Sequence, residues 1–204
     1  MKKILMALKC GRAVFAAVLC CAMTMAVLTA CSDKDDDPVI PSEDVNKGIV
    51  INLGSIVIKP YMQYGTSLAD VEAYMQKNYG DWTYTKDDQQ EGQIFYTKYR
   101  KDNEVISYAF YNTPAGSLRL STYGFENTDI SFSEIKAELE RNGFIYQGKL
   151  NFEFPTAADV YQLFLSADRS IEVQFARWEN DNRWAIGFQP LDEDDLNYLE
   201  PANK

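Results

Sequence analysis

Histidine is absent from this 204-residue chain, and with it the side chain that most often serves as general base and zinc ligand. Cysteine is nearly absent. Of four, Cys10, Cys20 and Cys21 fall in an apolar N-terminal stretch and Cys31 closes it. No thiol beyond Cys31 is left for a disulfide, a nucleophile or a metal site, so a domain there holds together by its core alone. The chain carries no glycine-rich phosphate loop, no nucleophile elbow and no cofactor motif. Only Ser–Lys or paired-carboxylate chemistry is left for catalysis, and the acids fall mostly in turns and on helix surfaces. Asp192-Glu193-Asp194-Asp195 offers hard oxygen ligands, yet lacks the spacing and turn glycine of a calcium loop; it reads as an acidic tail. Asp87-Asp88 reads as a solvated turn.

Positive charge is also scarce. Against 30 acidic residues stand 20 basic ones, and four of those (Lys2, Lys3, Lys9, Arg12) precede the apolar run Ala13 to Ala30. Without residues 1–30 the chain has 16 basic residues and a net charge of −14. Such a field excludes nucleic acid as a partner, which needs clustered Lys and Arg, and disfavours anionic lipid surfaces. It suits solubility and a basic partner.

The N-terminus has the order of a signal segment: basic residues, an apolar run, then small residues before a cut. Leu28-Thr29-Ala30-Cys31 resembles the lipobox of bacterial lipoproteins. The resemblance implies residues 1–30 as signal peptide, Cys31 as the lipidated first residue, and a membrane partner reached through that lipid. Lys34-Asp35-Asp36 directly after Cys31 resembles a surface-export signal of one Gram-negative group. The expected place is the outer membrane at the cell surface, with the periplasmic face as the alternative. Residues 31–47, rich in Asp, Pro and Ser, cannot bury a core and read as a flexible tether.

The remaining chain repeats itself. Ser67 to Asn78 and Ser131 to Asn142 align without gaps at an offset of 64, sharing a serine, an acid three residues on, Ala, a base and a closing Asn. Both read as helices. The serine caps the first turn; Glu134 is long enough to reach back to the cap, while Asp70 favours the positive helix end. Leu68, Val71 and Met75, and likewise Phe132, Ile135 and Leu139, fall on one face. Gly80 and Gly143 stand where a left-handed C-cap is wanted. Strands are expected after the first helix at 82–85, 94–100, 105–111 and 118–125. After the second they are expected at 144–154, 160–166, 171–178 and 183–189. Ile171-Glu172-Val173-Gln174-Phe175 alternates as a half-buried strand. The expected fold is α+β: two tandem repeats of one helix plus an about four-stranded antiparallel meander, both helices on one face of a shared sheet. The divisions are 48–128 for the N-terminal edge strands and repeat 1, 129–191 for repeat 2, and 192–204 for the tail. Ile49–Leu53 and Ile56–Ile58, around the turn Gly54-Ser55, are expected at the sheet edge.

Tyr64-Gly65-Thr66-Ser67-Leu68-Ala69-Asp70-Val71 resembles the helix start of the β-lactamase-inhibitor-protein-like superfamily, which includes small outer-membrane assembly lipoproteins. The resemblance implies a helical segment followed by a small antiparallel sheet, sometimes in tandem, and a general binding role. The usual unit there has two helices; this chain offers one per repeat, and Asp129-Ile130 replaces the glycine before the second cap.

Aromatic residues are abundant. Trp82, Trp178 and Trp184 join Phe95, Tyr96, Tyr99, Tyr108, Phe110, Tyr111 and Tyr123. Adjacent rings point to opposite sheet faces, so one face is expected to pack under the helices and the other to expose rings. Tyr96, Tyr108, Tyr111, Trp178 and Trp184 are the candidate contacts for a protein or glycan partner. The expected function is non-enzymatic binding at the cell envelope. An envelope-assembly accessory, a glycan-binding module and a carboxylate-dependent hydrolase are the alternatives.

Overall fold

A computed structural model describes residues 49–91, 94–114, 116–126, 130–152, 156, 158–180 and 182–200, with the side chains of 85–91 excluded. Cys31, Lys34, Asp35 and Asp36 lie outside these residues. No described helix is long and apolar enough to cross a membrane.

Among the described residues the protein is mainly antiparallel sheet, with two α-helices. A hairpin, β1 (Ile51–Leu53) and β2 (Ile56–Ile58), precedes helix α1 (Leu68–Asn78). Four strands follow: β3 (Thr83–Glu91), β4 (Ile94–Lys101), β5 (Glu104–Tyr111) and β6 (Ser117–Glu126). Helix α2 (Phe132–Arg141) leads into β7 (Phe144–Leu150), β8 (Val160–Ser166), β9 (Ile171–Trp178) and β10 (Arg183–Pro190). A 3-10 turn, Glu193–Tyr198, ends the described chain. The eight strands β3 to β10 make one antiparallel sheet in the order β3-β4-β5-β6-β10-β9-β8-β7. The two four-strand runs thus meet at their last strands, with Ile186 of β10 opposite Tyr123 of β6.

Both helices start as capping boxes. Ser67 and Ser131 accept the N3 backbone N–H, and Asp70 and Glu134 each accept the cap N–H in return. Asp70 therefore does more than favour the positive end: its Oδ2 takes the Ser67 N–H at 3.0 Å. Gly143 has the left-handed φ of 88° expected of a C-cap. Gly80 does not. It is required for space instead, since a Cβ there would lie 2.9 Å from the Gln76 carbonyl oxygen.

Period-2 alternation divides the sheet residues between two faces. On the helix face, Val71 and Met75 of α1 and Ile135 and Leu139 of α2 meet Ile106, Tyr108 and Phe110 of β5, Trp184, Ile186 and Phe188 of β10, and Val173 and Phe175 of β9. The β1–β2 hairpin joins this layer through Ile51, Ile56 and Ile58. It forms a separate two-stranded sheet and not an edge of the large one. Its polar backbone explains the position: the Glu138 carboxylate takes the Asn52 N–H at 2.8 Å, and Asn142 at the end of α2 bonds both the N–H and the C=O of Val50.

The back face holds a second cluster, including Ala109, Leu120, Leu163, Leu165, Ala176 and Ala185, all buried. The strand 171–178 is consequently not half-buried: Glu172 and Gln174 are enclosed as fully as Ile171 and Val173. The C-terminal segment covers their part of the face. Leu196, Tyr198 and Leu199 pack on the cluster, and Leu199 bridges Leu150 on the edge strand β7. Asp195, read from sequence as part of a solvated tail, is fully buried.

Candidate functional site

The five rings expected to share one open surface are divided between the faces. Tyr108 and Trp184 belong to the core beneath the helices. The Tyr108 hydroxyl donates to Met75 Sδ at 3.2 Å, and Trp184 packs on Phe125 with ring centroids 4.4 Å apart. Tyr96 and Trp178 lie on the back face, 1% and 7% exposed, with the Arg183 guanidinium 4.6 Å from the Trp178 ring centroid. Tyr111 is half-buried and occupied by Arg119, whose Nη1 donates to its hydroxyl at 2.6 Å. The expectation fails for a physical reason: both faces of this sheet are covered at these positions, so ring alternation does not leave one set in water.

Another group of rings does line a cavity. Where α1 ends, Gly80 permits the chain to turn tightly against Gln76, and the Trp82 N–H bonds the Tyr79 carbonyl at 3.0 Å. This returns Trp82 to the helix, edge-on to Tyr79 at 5.5 Å. Tyr84, two residues on, stands on β3 opposite Tyr99 of β4, their centroids 5.1 Å apart. Tyr79, Trp82, Tyr84 and Tyr99 form an open cleft of about 290 Å³ with Met75 and the polar α1 residues Glu72 and Gln76.

The cleft is firmly supported. The Tyr79 hydroxyl receives the Lys59 N–H at 2.7 Å and donates to the Lys59 carbonyl at 3.1 Å. Tyr99 sits edge-on to Tyr108, which is itself fixed to Met75. Tyr84 is 41% exposed, so a ring face is available to a ligand. The Tyr99 hydroxyl is buried and has no hydrogen-bond partner among the described residues. Burial first, then the field of Glu72, raises its pKa, so it stays a neutral phenol. Glu72 has no ion-pair partner among the described residues. The neighbouring cation Lys101 is held by Asp81 at 2.6 Å, and that bond lowers the Asp81 pKa. The lining thus carries aromatic rings, the Gln76 amide and one carboxylate, with no positive group. Tyr99 and Trp82 were recognisable in sequence as part of the aromatic set. Tyr79, Glu72 and Gln76 were not, because their position depends on the tight turn at Gly80.

Two acids also meet, as carboxylate catalysis requires, but in a sealed place. Glu172 of β9 and Asp195 of the C-terminal turn are hydrogen-bonded to each other and fully buried. Gln174 Nε2 donates to Glu172 Oε1 at 2.9 Å and to Asp195 Oδ2 at 2.7 Å, and Gln189 Nε2 also donates to Glu172. Burial, then the Asp195 charge, pushes the Glu172 pKa up to about 8. The pair shares a proton and fastens the C-terminal segment to the sheet; no substrate reaches it. No three His, Cys, Asp or Glu residues among those described are placed to hold a metal ion. The chain matches no family model, no curated protein and no solved structure.

Proposed function

We propose that this chain is a lipid-anchored protein of the bacterial outer membrane, held through Cys31 and displayed at the cell surface, and that it acts by binding a partner and not by catalysis. The binding reading rests on one observation above all. An open cleft is walled by Tyr79, Trp82, Tyr84 and Tyr99, and its lining holds the Glu72 carboxylate, unpaired among the described residues. Rings held rigidly by neighbours offer contact area at little entropic cost. The Glu172–Asp195 pair is shut off from solvent and does not serve as a catalytic acid pair. We also read the two helix-plus-meander units as a tandem duplication. Supporting this are the 64-residue offset, the paired capping boxes and the meeting of the two runs at β6 and β10.

The anchor is tested by fractionating cells that express Cys31→Ala, which should lose the protein from the membrane fraction; retention there refutes the lipid anchor. Display is tested by protease treatment of intact cells. The wild type should be cleaved, and a variant with Asp35 and Asp36 replaced should be protected. Protection of both would put the protein on the periplasmic face, where an assembly accessory works.

A further inference from the structure

The geometry points to a cation as the group this cleft takes: the ammonium of a lysine side chain on a basic protein partner. The inference rests on the reading of the cleft as a binding site and adds the chemistry of its ligand.

Four features converge on positive charge. The walls are ring faces, whose negative quadrupoles attract a cation within about 6 Å of the centroid. Tyr84 and Tyr99 at 5.1 Å, and Tyr79 and Trp82 at 5.5 Å, present such faces at mutually tilted angles, 52° and 82°. This is a cage-like arrangement, unlike the flat parallel platform on which a sugar ring stacks. The one charged group in the lining is an acceptor. Glu72 accepts only, and it has no ion-pair partner among the described residues. An ammonium has three donors and no acceptor, which matches the Glu72 carboxylate. Lys101, two residues beyond Tyr99, is already bonded to Asp81, and the lining itself holds no positive group. Finally, the chain beyond residue 30 carries a net charge of −14, which draws basic partners towards it and repels acidic ones.

The size agrees. A cavity of about 290 Å³ is small for a folded element but accommodates a four-carbon stem with its charged head. The stem would lie along Met75 and Trp82 while the head meets Glu72, the division of labour that amphipathic side chains generally adopt.

The test uses the full-length protein in phosphatidylcholine nanodiscs, which add no net charge. The probes are a hexalysine peptide, the same peptide with every ε-amine acetylated, and a neutral β-glucan hexasaccharide. Tryptophan fluorescence and calorimetry report binding. Hexalysine should bind and shift the emission, and Trp82→Phe should remove the shift. Glu72→Gln and Tyr84→Ala, both at exposed positions, should each weaken hexalysine by roughly tenfold. Glu140→Gln on α2 removes the same charge elsewhere and should leave affinity within about twofold. Equal weakening by Glu140→Gln and Glu72→Gln would reduce the attraction to the overall field and overturn the site. Equal binding of the acetylated peptide would overturn the cation while leaving the cleft as a binding site. So would a Trp82-dependent response to the hexasaccharide alone. Silence with all three probes overturns both the ligand class and the cleft as the binding site.

Discussion

The Glu172–Asp195 pair makes folding stability depend on pH between about 5 and 8. Glu172 has its carboxyl raised from 4.5 to about 8, first by burial and then by the Asp195 charge. The native state therefore holds a proton that the unfolded state releases. Stability from this group is complete below about pH 4.5 and is lost as pH rises through about 8. Between those limits the slope approaches about 1.4 kcal/mol per pH unit, so moving from about pH 5.5 to 7.5 should cost about 2–3 kcal/mol. The chain has no histidine to titrate in this range. Asp81, Glu134 and Asp168 have lowered pKa values, so their contributions change only at more acidic pH, with the opposite sign. Glu104 is raised by partial burial and adds a smaller slope of the same sign.

Comparison with Glu172→Gln isolates the pair. Glutamine keeps an acceptor for Gln174 and Gln189 and a permanent donor towards Asp195, as the protonated acid does. Urea unfolding of the chain from Ser32 onward, followed by tryptophan emission at half-unit pH steps, gives the curve. The wild type should lose stability steadily from about pH 5.5 to 8. The variant should match it within about 1 kcal/mol at pH 5.5, run nearly flat, and exceed it above pH 7.5. A flat wild-type curve, or equal slopes in both proteins, would refute the shared proton. Local release of the C-terminal segment is the structural counterpart: above pH 8 hydrogen exchange at Leu196 and Leu199 should quicken before that of β9.

Three further outcomes follow from the packing. Glu138→Ala leaves the Asn52 N–H without its acceptor and frees Arg141; urea unfolding should show a loss of about 1–3 kcal/mol, with the β1–β2 hairpin exchanging first. Gly80→Ala forces a methyl against the Gln76 carbonyl; it should destabilise by about 1–3 kcal/mol and red-shift the emission of Trp82 as the cleft loosens. Ser131→Ala removes the cap of α2 at an exposed position and should cost about 1 kcal/mol, with Ser131→Asp restoring most of it.

The local elements were legible because each is written in a periodic code. Serine followed three residues later by an acid started both helices where expected, and the strands 160–166 and 171–178 have the bounds their alternation implied. Alternation states which residues share a face; it does not state what covers the face. Glu172 and Gln174 read as solvent-facing because polar residues at alternate positions normally are. They are enclosed because Asp195, over twenty residues later, supplies a complementary group, and a carboxyl pair sharing one proton is tolerated where two free charges would not be. The same limit divides the rings. Tyr108 and Trp184 were read as ligand contacts, yet large rings are what a core under two short helices needs.

The cleft escaped notice for a related reason. Its rings come from the end of a helix, a turn and two strands, so no single period links them; Tyr84 finds Tyr99 only through the β3–β4 register. What sequence did contain was the combination of Tyr79, Gly80, Trp82 and Tyr84 within six residues. A glycine there with a negative φ is not a turn former but a spacer. Its missing side chain lets the chain fold back on α1 and so sets two rings against the helix. The same glycine thus ends the helix and opens the site, which is why its substitution should change stability and the surroundings of Trp82 together. A change in stability alone would mean that the rings are placed by the hydroxyl anchor at Lys59 and not by the turn.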